Sequence, residues 1–219
     1  RDSYGGDAMV LGVSRAREVS ETEEPQLVNV VRELSLAANI PEPRVHVIED
    51  RALNAFATGR DPEHASVAVT RGLLERLDRE ELQGVVGHVL AHVANDDIRF
   101  SLLVAILAPL FARLVQMAVN RQREFLADAT SVEMTRNPYG LERALAKLAV
   151  DPEPLEVANR ATQHLYVVNP VKKLDHSARG LFSTHPAIED RINRLRRMTG
   201  QPEIDEAGLR QLAGADPAG

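Results

Sequence analysis

There is no cysteine among the 219 residues. Disulfides and thiolate metal sites are thereby excluded, and any metal must be held by His, Asp or Glu. The absence also fits a reducing compartment. Positive charge is in short supply: 26 Lys and Arg stand against 32 Asp and Glu, a formal net charge of −6. Nucleic-acid-binding domains are ordinarily basic, so no nucleic-acid partner is expected. No secretory leader is expected either, because Arg1–Val10 has no apolar core run. Long hydrophobic runs are missing. The apolar stretch Leu102–Ala112 is 11 residues long before Arg113, whereas a membrane span needs roughly 20. Taken alone it reads as a buried core helix. Repeats and low-complexity tracts are also absent.

What is present is ordinary for a globular chain: 44% hydrophobic and 26% charged residues, enough to bury a substantial core in one sizeable domain or two small ones. The first 20 residues have little periodicity and read as an extended arm. Ser20–Pro25 looks like a helix start, followed by Leu27, Val30, Val31, Leu34 and Leu36 at roughly helical spacing. Pro41 and Pro43 end that helix. Arg44–Glu49 and Ser66–Thr70 read as strands, with Asn54–Gly59 a short edge strand between them. Asp78 and Glu81 form an acidic variant of a capping box that opens a helix to about Asp97. Further helical patterns cover Ile98–Met134 (with a break near Pro109), Asn137–Val150, Pro154–Leu165 and Pro186–Met198, and Lys172–Phe182 reads as loop. Gly200 stops the last helix, and the Ala-, Gly- and Pro-rich tail from Gln201 is expected to fray. The sum is α+β: mostly helical with one small β-sheet. The expected division is an arm over 1–20, one domain over 21–200 and a tail over 201–219.

His88 and His92 stand at i and i+4 on the helix after Asp78. Four residues advance about 400°, so both imidazoles leave one face, one turn apart. That spacing lets two ring nitrogens meet one Zn²⁺. The bare pair is a weak signal. Glu124 and Asp128, also i and i+4, lie on another helix. A carboxylate from there would complete a His₂Glu site with one open position, and the other could accept the second ring N–H of a ligating histidine. Base rates alone favour a solvated Glu124 between Arg121 and Arg123.

Residues 4 to about 198 resemble the catalytic domain of the HtpX family, membrane-bound zinc proteases of the gluzincin class. The stretches that carry the likeness are Asp7–Val19, Asn54–Leu74, Gly87–Asp97, Arg121–Ala129 and Phe182–Ile192, in the family's order along the chain. The resemblance implies a zincin-like metalloprotease domain with one Zn²⁺ per chain, ligands His88, His92 and Glu124, and Asp128 behind them. It implies that Asn54, Ala55, Phe56, Ala57 and Thr58 form an edge strand that pairs with extended peptide or unfolded-protein substrate. It places His185 near the metal as a stabiliser of the transition state. It suggests that Arg191 anchors a carboxylate or a loop there, although spacing alone favours a solvated face for Arg191. His46, His64, His164 and His176 read as structural.

The chain departs from the family at two points. The family reads His-Glu-x-x-His; here Val89 stands at the glutamate's position. That glutamate takes a proton as water attacks the carbonyl and delivers it to the leaving amine, work worth roughly 10²–10⁴-fold. Valine has no lone pair, so inactivity or strong impairment is expected, by engineering or as a natural pseudoprotease. The second departure is the membrane. The family has an N-terminal membrane hairpin and further spans between the zinc helix and the third-ligand helix. Here the arm would follow a missing hairpin, and only Leu102–Ala112 remains of the later spans. A full-length parent would present this domain on the cytoplasmic face of the bacterial inner membrane, and this chain looks like a soluble portion. Oligomeric state is not encoded in any motif. The leading reading is a disabled endopeptidase. The others are a zinc-containing module that binds extended peptides without cutting, and a helical structural protein.

Overall fold

A computed structural model describes residues 15–59, 61–95, 111–151 and 186–214. The sheet within it has four strands: β1 (Ala16–Glu18), β2 (Arg44–Ile48), β3 (Ala55–Thr58) and β4 (Ser66–Thr70), in the order β1-β2-β4-β3. β2 and β4 run parallel, with Val45 opposite Val67 and Val47 opposite Val69. β1 and β3 flank them antiparallel. Alternation sets the faces. Val45, Val47, Ala55, Ala57, Val67 and Val69 join the apolar core. The end of the expected arm is therefore an edge strand, because Ala16–Glu18 pairs with Ile48–His46.

Several of the helices start where capping chemistry puts them. α1 (Pro25–Ala38) begins with Pro25, whose fixed φ suits a first helical position. Ser20–Thr22 is not helical, because Glu23 accepts from the Ser20 backbone N–H and hydroxyl and closes a local turn instead. Leu27, Val30, Val31 and Leu34 are buried in the core, while Leu36 is 77% exposed, off the apolar stripe. Asn39 ends the helix in the left-handed region. After α2 (Arg71–Arg76), α3 (Arg79–Ala94) opens on the full capping box between Asp78 and Glu81. Asn137 caps α5 (Pro138–Val150). Ahead of it, α4 covers Phe111–Thr135. α6 (Ile188–Met198) and α7 (Glu206–Leu212) complete the described chain. The expected fraying tail thus contains a helix, capped by Asp205 and anchored by Leu209 in the core. The expected helix Pro154–Leu165, the loop Lys172–Phe182 and most of Leu102–Ala112 lie outside the described residues.

α3 is the pivot. It packs against β3, α1, α4 and α5. Ten of its residues besides Glu81 are buried, from Leu82 to Val93. Among the described residues, no helix is long and apolar enough to cross a membrane.

The α3–α5 crossing depends on glycine. A Cβ on Gly84 would lie 2.6 Å from the backbone N and Cα of Leu141. A Cβ on Gly140 would run into the Glu80 carbonyl oxygen. The Gly84→Ala variant is therefore expected to lose about 1–3 kcal/mol through overpacking. At an open helical site the same change would add about 1 kcal/mol. Urea unfolding of the two proteins decides the sign, and an unchanged or raised midpoint would show that the helices are free to move apart.

Candidate metal centre

His88 and His92 leave α3 on one face, as their spacing requires, and their Nε2 atoms stand 3.2 Å apart. α4 crosses this face and brings Glu124 onto both. Glu124 Oε2 is 3.4 Å from His88 Nε2, and Oε1 is 3.4 Å from His92 Nε2. One ligand atom from each of the three residues lies within 4.8 Å of the others. Donors about 2.0–2.1 Å from a tetrahedral ion stand roughly 3.3 Å from one another. The spacing therefore fits one small cation, which these three residues could hold. His88 is fully buried, Glu124 is 8% exposed, and the His92 side chain keeps 22% of its surface. The centre is open on the His92 side.

Glu124 is thus not the solvated residue that its arginine neighbours suggest. The helix turns Arg123 and Glu124 about 100° apart, so sequence adjacency says nothing about shared exposure.

Asp128, one turn after Glu124, places Oδ1 2.8 Å from His88 Nδ1. The His88 Nδ1–H donates to that carboxylate, which leaves the Nε2 lone pair facing Glu124 and His92. Asp128 is buried too, and a lone buried carboxylate is costly. α6 supplies the partner. Arg191 Nε donates to Asp128 Oδ2 at 2.8 Å and Nη2 to Oδ1 at 2.7 Å, a planar fork on a planar carboxylate. Burial pushes the Asp128 carboxyl up. The charge and hydrogen bonds of Arg191, with those of His88, outweigh it and hold the pKa at about 2.

Arg191 Nη2 is also 3.2 and 3.4 Å from the two ring nitrogens of His88. An atom at that range from both nitrogens lies over the ring face, since in the ring plane it would collide with Cε1. We read this contact as stacking, not as two hydrogen bonds. Arg191 is 1% exposed. The helical spacing of basic residues 191–197 points to a solvated face, and the structure buries the first of them. Arg194, one turn on, lies 4.7 Å above the Phe125 ring and adds a second tie between α6 and α4.

Val89 is buried in the apolar core, with 2% of its surface exposed. Asn54 precedes β3, the edge strand opposite β1 in the described sheet, which packs against α3. Ala55, Phe56, Ala57 and Thr58 are all buried. His46 lies in β2, and His64 pairs with Asp61; neither belongs to the cluster. His185, His164 and His176 lie outside the described residues.

A mostly helical α+β domain with a His–His–Glu cluster formed by two crossing helices defines the class: a zincin-like metalloprotease domain. Comparison with known proteins names the family. Residues 21–114 and 103–199 match the profile of Peptidase family M48. A Protease HtpX homolog of Streptococcus uberis is 41% identical over 87% of this chain and 79% of its own length. That of Pediococcus pentosaceus is 40% identical over 87% and 79%. That of Streptococcus pyogenes is 41% identical over 89% and 80%. The chain belongs to Peptidase family M48, among the HtpX-type proteases. The match to the S. uberis protein runs over 236 residues yet uses 87% of this 219-residue chain. That relative therefore has residues that this chain lacks.

The Asp128–Arg191 pair is deeply desolvated, so removing one partner is expected to cost far more than a surface pair would. Arg191→Met should lower the unfolding free energy by about 3–5 kcal/mol, with Arg191→Lys intermediate because one cation without the fork remains. Urea titration of both variants checks this. Stability equal to the parent in Arg191→Met would mean that Asp128 finds another partner.

Proposed function

We propose that this chain is a zinc-dependent endopeptidase domain of the HtpX type whose proton carrier has been replaced by Val89. The single observation that supports its metal chemistry is the convergence of His88, His92 and Glu124 on a volume one small ion would fill. These three residues would hold one Zn²⁺. Bound there, zinc supplies a Lewis acid that polarises a carbonyl and acidifies water.

The remaining roles belong to the protein. Asp128 accepts the His88 Nδ1–H and so fixes the tautomer that leaves Nε2 free to ligate. Arg191 neutralises Asp128 and keeps it ionised in a buried place. Asn54, Ala55, Phe56, Ala57 and Thr58 lie along the outer strand beside α3, where an extended peptide would add as a further strand and be carried past the metal ligands. His185, three residues before Ile188 at the start of α6, would donate to developing negative charge on the scissile carbonyl oxygen. Val89 neither accepts a proton from water nor returns one to a leaving amine. Binding would therefore survive where turnover fails.

The substrates this reading implies are peptides and unfolded or membrane proteins. In a full-length parent the domain would face the cytoplasm from the inner membrane. One observation favours a second reading, a pseudoprotease that holds extended peptides without cutting them. Val89 is packed in the apolar core, so the position is filled by a residue that suits its surroundings and not merely emptied.

Two measurements test the proposal. After loading with zinc and washing, the protein is expected to retain one zinc per chain by metal analysis. Glu124→Ala and His92→Ala should each lose it. Retention in either variant, or none in the parent, would remove the metal centre from the reading. The zinc-loaded Val89→Glu variant should then cleave an unfolded protein such as casein about 10²–10⁴-fold faster than the parent. A variant that stays inert yet binds the peptide would favour the binding module instead.

A further inference from the structure

The metal ligands belong to a longer pattern between two helices. α3 presents Gly84, His88 and His92, each one turn from the next. α4 presents Ser131, Asp128 and Glu124 in the opposite order. Ser131 Oγ donates to the Gly84 carbonyl at 2.8 Å. Asp128 Oδ1 meets His88 Nδ1 at 2.8 Å. Glu124 Oε1 meets His92 Nε2 at 3.4 Å. These are three rungs of one ladder between antiparallel helices, spaced by about one helical turn.

The first rung differs from the other two. It needs no ion, titrates nowhere near neutral pH, and is fully buried, with Ser131 and Gly84 both inside the fold. Its acceptor is also the carbonyl that takes the His88 backbone N–H in the i→i−4 pattern of α3. Ser131 is thus tied to the peptide group that seats His88. The rung exists because position 87 has no side chain. A Cβ on Gly87 would lie 2.6 Å from Ser131 Oγ. The hydroxyl sits in the notch this leaves beside His88.

We propose that Ser131 is a positioning residue: with the notch at Gly87, it sets the register of α4 on α3 and so places Glu124 and Asp128 for metal binding. This rests on the metal-centre reading above. The physical reason is leverage. A carboxylate one or two turns from a fixed rung is held along the helix axis before any ion arrives. Without that rung, α4 can slide or rotate, and ordering it must be done by the metal itself. Removing outer partners of a metal site costs about 10–100-fold in affinity. A rung two turns from Glu124 should fall toward the lower end of that range.

The test is Co²⁺ binding to the full chain, followed by its visible ligand-field bands, beside the melting temperature of the metal-free protein. Ser131→Ala is expected to bind Co²⁺ about tenfold more weakly, with altered bands, while the metal-free protein melts within a few degrees of the parent. Gly87→Ala attacks the same rung from the other helix and should give the same weakening; it decides the matter if Ser131→Ala does not fold. Leu209→Ala, a core truncation on α7, is the control for stability alone and should leave Co²⁺ affinity unchanged. Equal affinity and bands in the parent, Ser131→Ala and Gly87→Ala would overturn the proposal and leave the metal centre standing. Weakening by Leu209→Ala as large as that by Ser131→Ala would also overturn it, since general loosening would then suffice. A parent chain that takes up no Co²⁺ would overturn the metal-centre reading, and this proposal with it.

Discussion

The contact on which the rest of the structure depends is the close approach of α3 and α4. Two antiparallel helices can bring side chains one turn apart into matched pairs only if their backbones come near enough and their register is right. Here glycine supplies the nearness. Gly87 gives Ser131 room, and Gly84 does the same for α5 on a neighbouring face. α3 is consequently walled on several sides. Its histidines are held by a helix packed closely against its neighbours at these glycines. Interiors at native packing density transmit such constraints instead of absorbing them.

Electrostatics add a second constraint that runs inward to outward. His88 carries no exposed surface, and the residue that orients it is a buried carboxylate. Such a carboxylate is stable only beside a matched cation. The match comes from α6, 63 residues later in the chain, through both Arg191 donors. The order of dependence is therefore His88 on Asp128, Asp128 on Arg191, and Arg191 on the docking of α6. Each link buries a polar group that the next one satisfies. A site assembled this way has its orienting hydrogen bonds in place within the protein itself.

The frame and the proton carrier are physically separable. Ligand spacing depends on backbone approach and buried hydrogen bonds, none of which involves position 89. Val89 sits in the apolar core, where a branched aliphatic side chain is an ordinary occupant. The cluster of His88, His92 and Glu124 forms with valine at this position. That is why metal binding and peptide cleavage are independent questions for this chain, although it belongs to a protease family.

The sequence by itself determined the local parts. The i, i+4 spacings of His88–His92 and Glu124–Asp128 put each pair on one helical face whatever the surroundings. Asp78 with Glu81 and Asn137 with Pro138 marked two helix starts correctly, because caps are satisfied within a few residues. Arg44–Glu49 and Ser66–Thr70 were legible as strands, the first read one residue longer than β2. Tertiary structure decided the rest. Burial of Glu124 and Arg191 was not legible from spacing, since both sit in basic runs that read as solvated; only the family resemblance implied a place for them in the site. The helix Glu206–Leu212 was hidden by its Ala- and Gly-rich surroundings, because one buried leucine in the core holds it and propensity does not. Gly87 and Ser131 gave no signal at all. A glycine's meaning is the atom that would strike its missing side chain, and that atom lies 44 positions along the chain, visible only once the two helices have met.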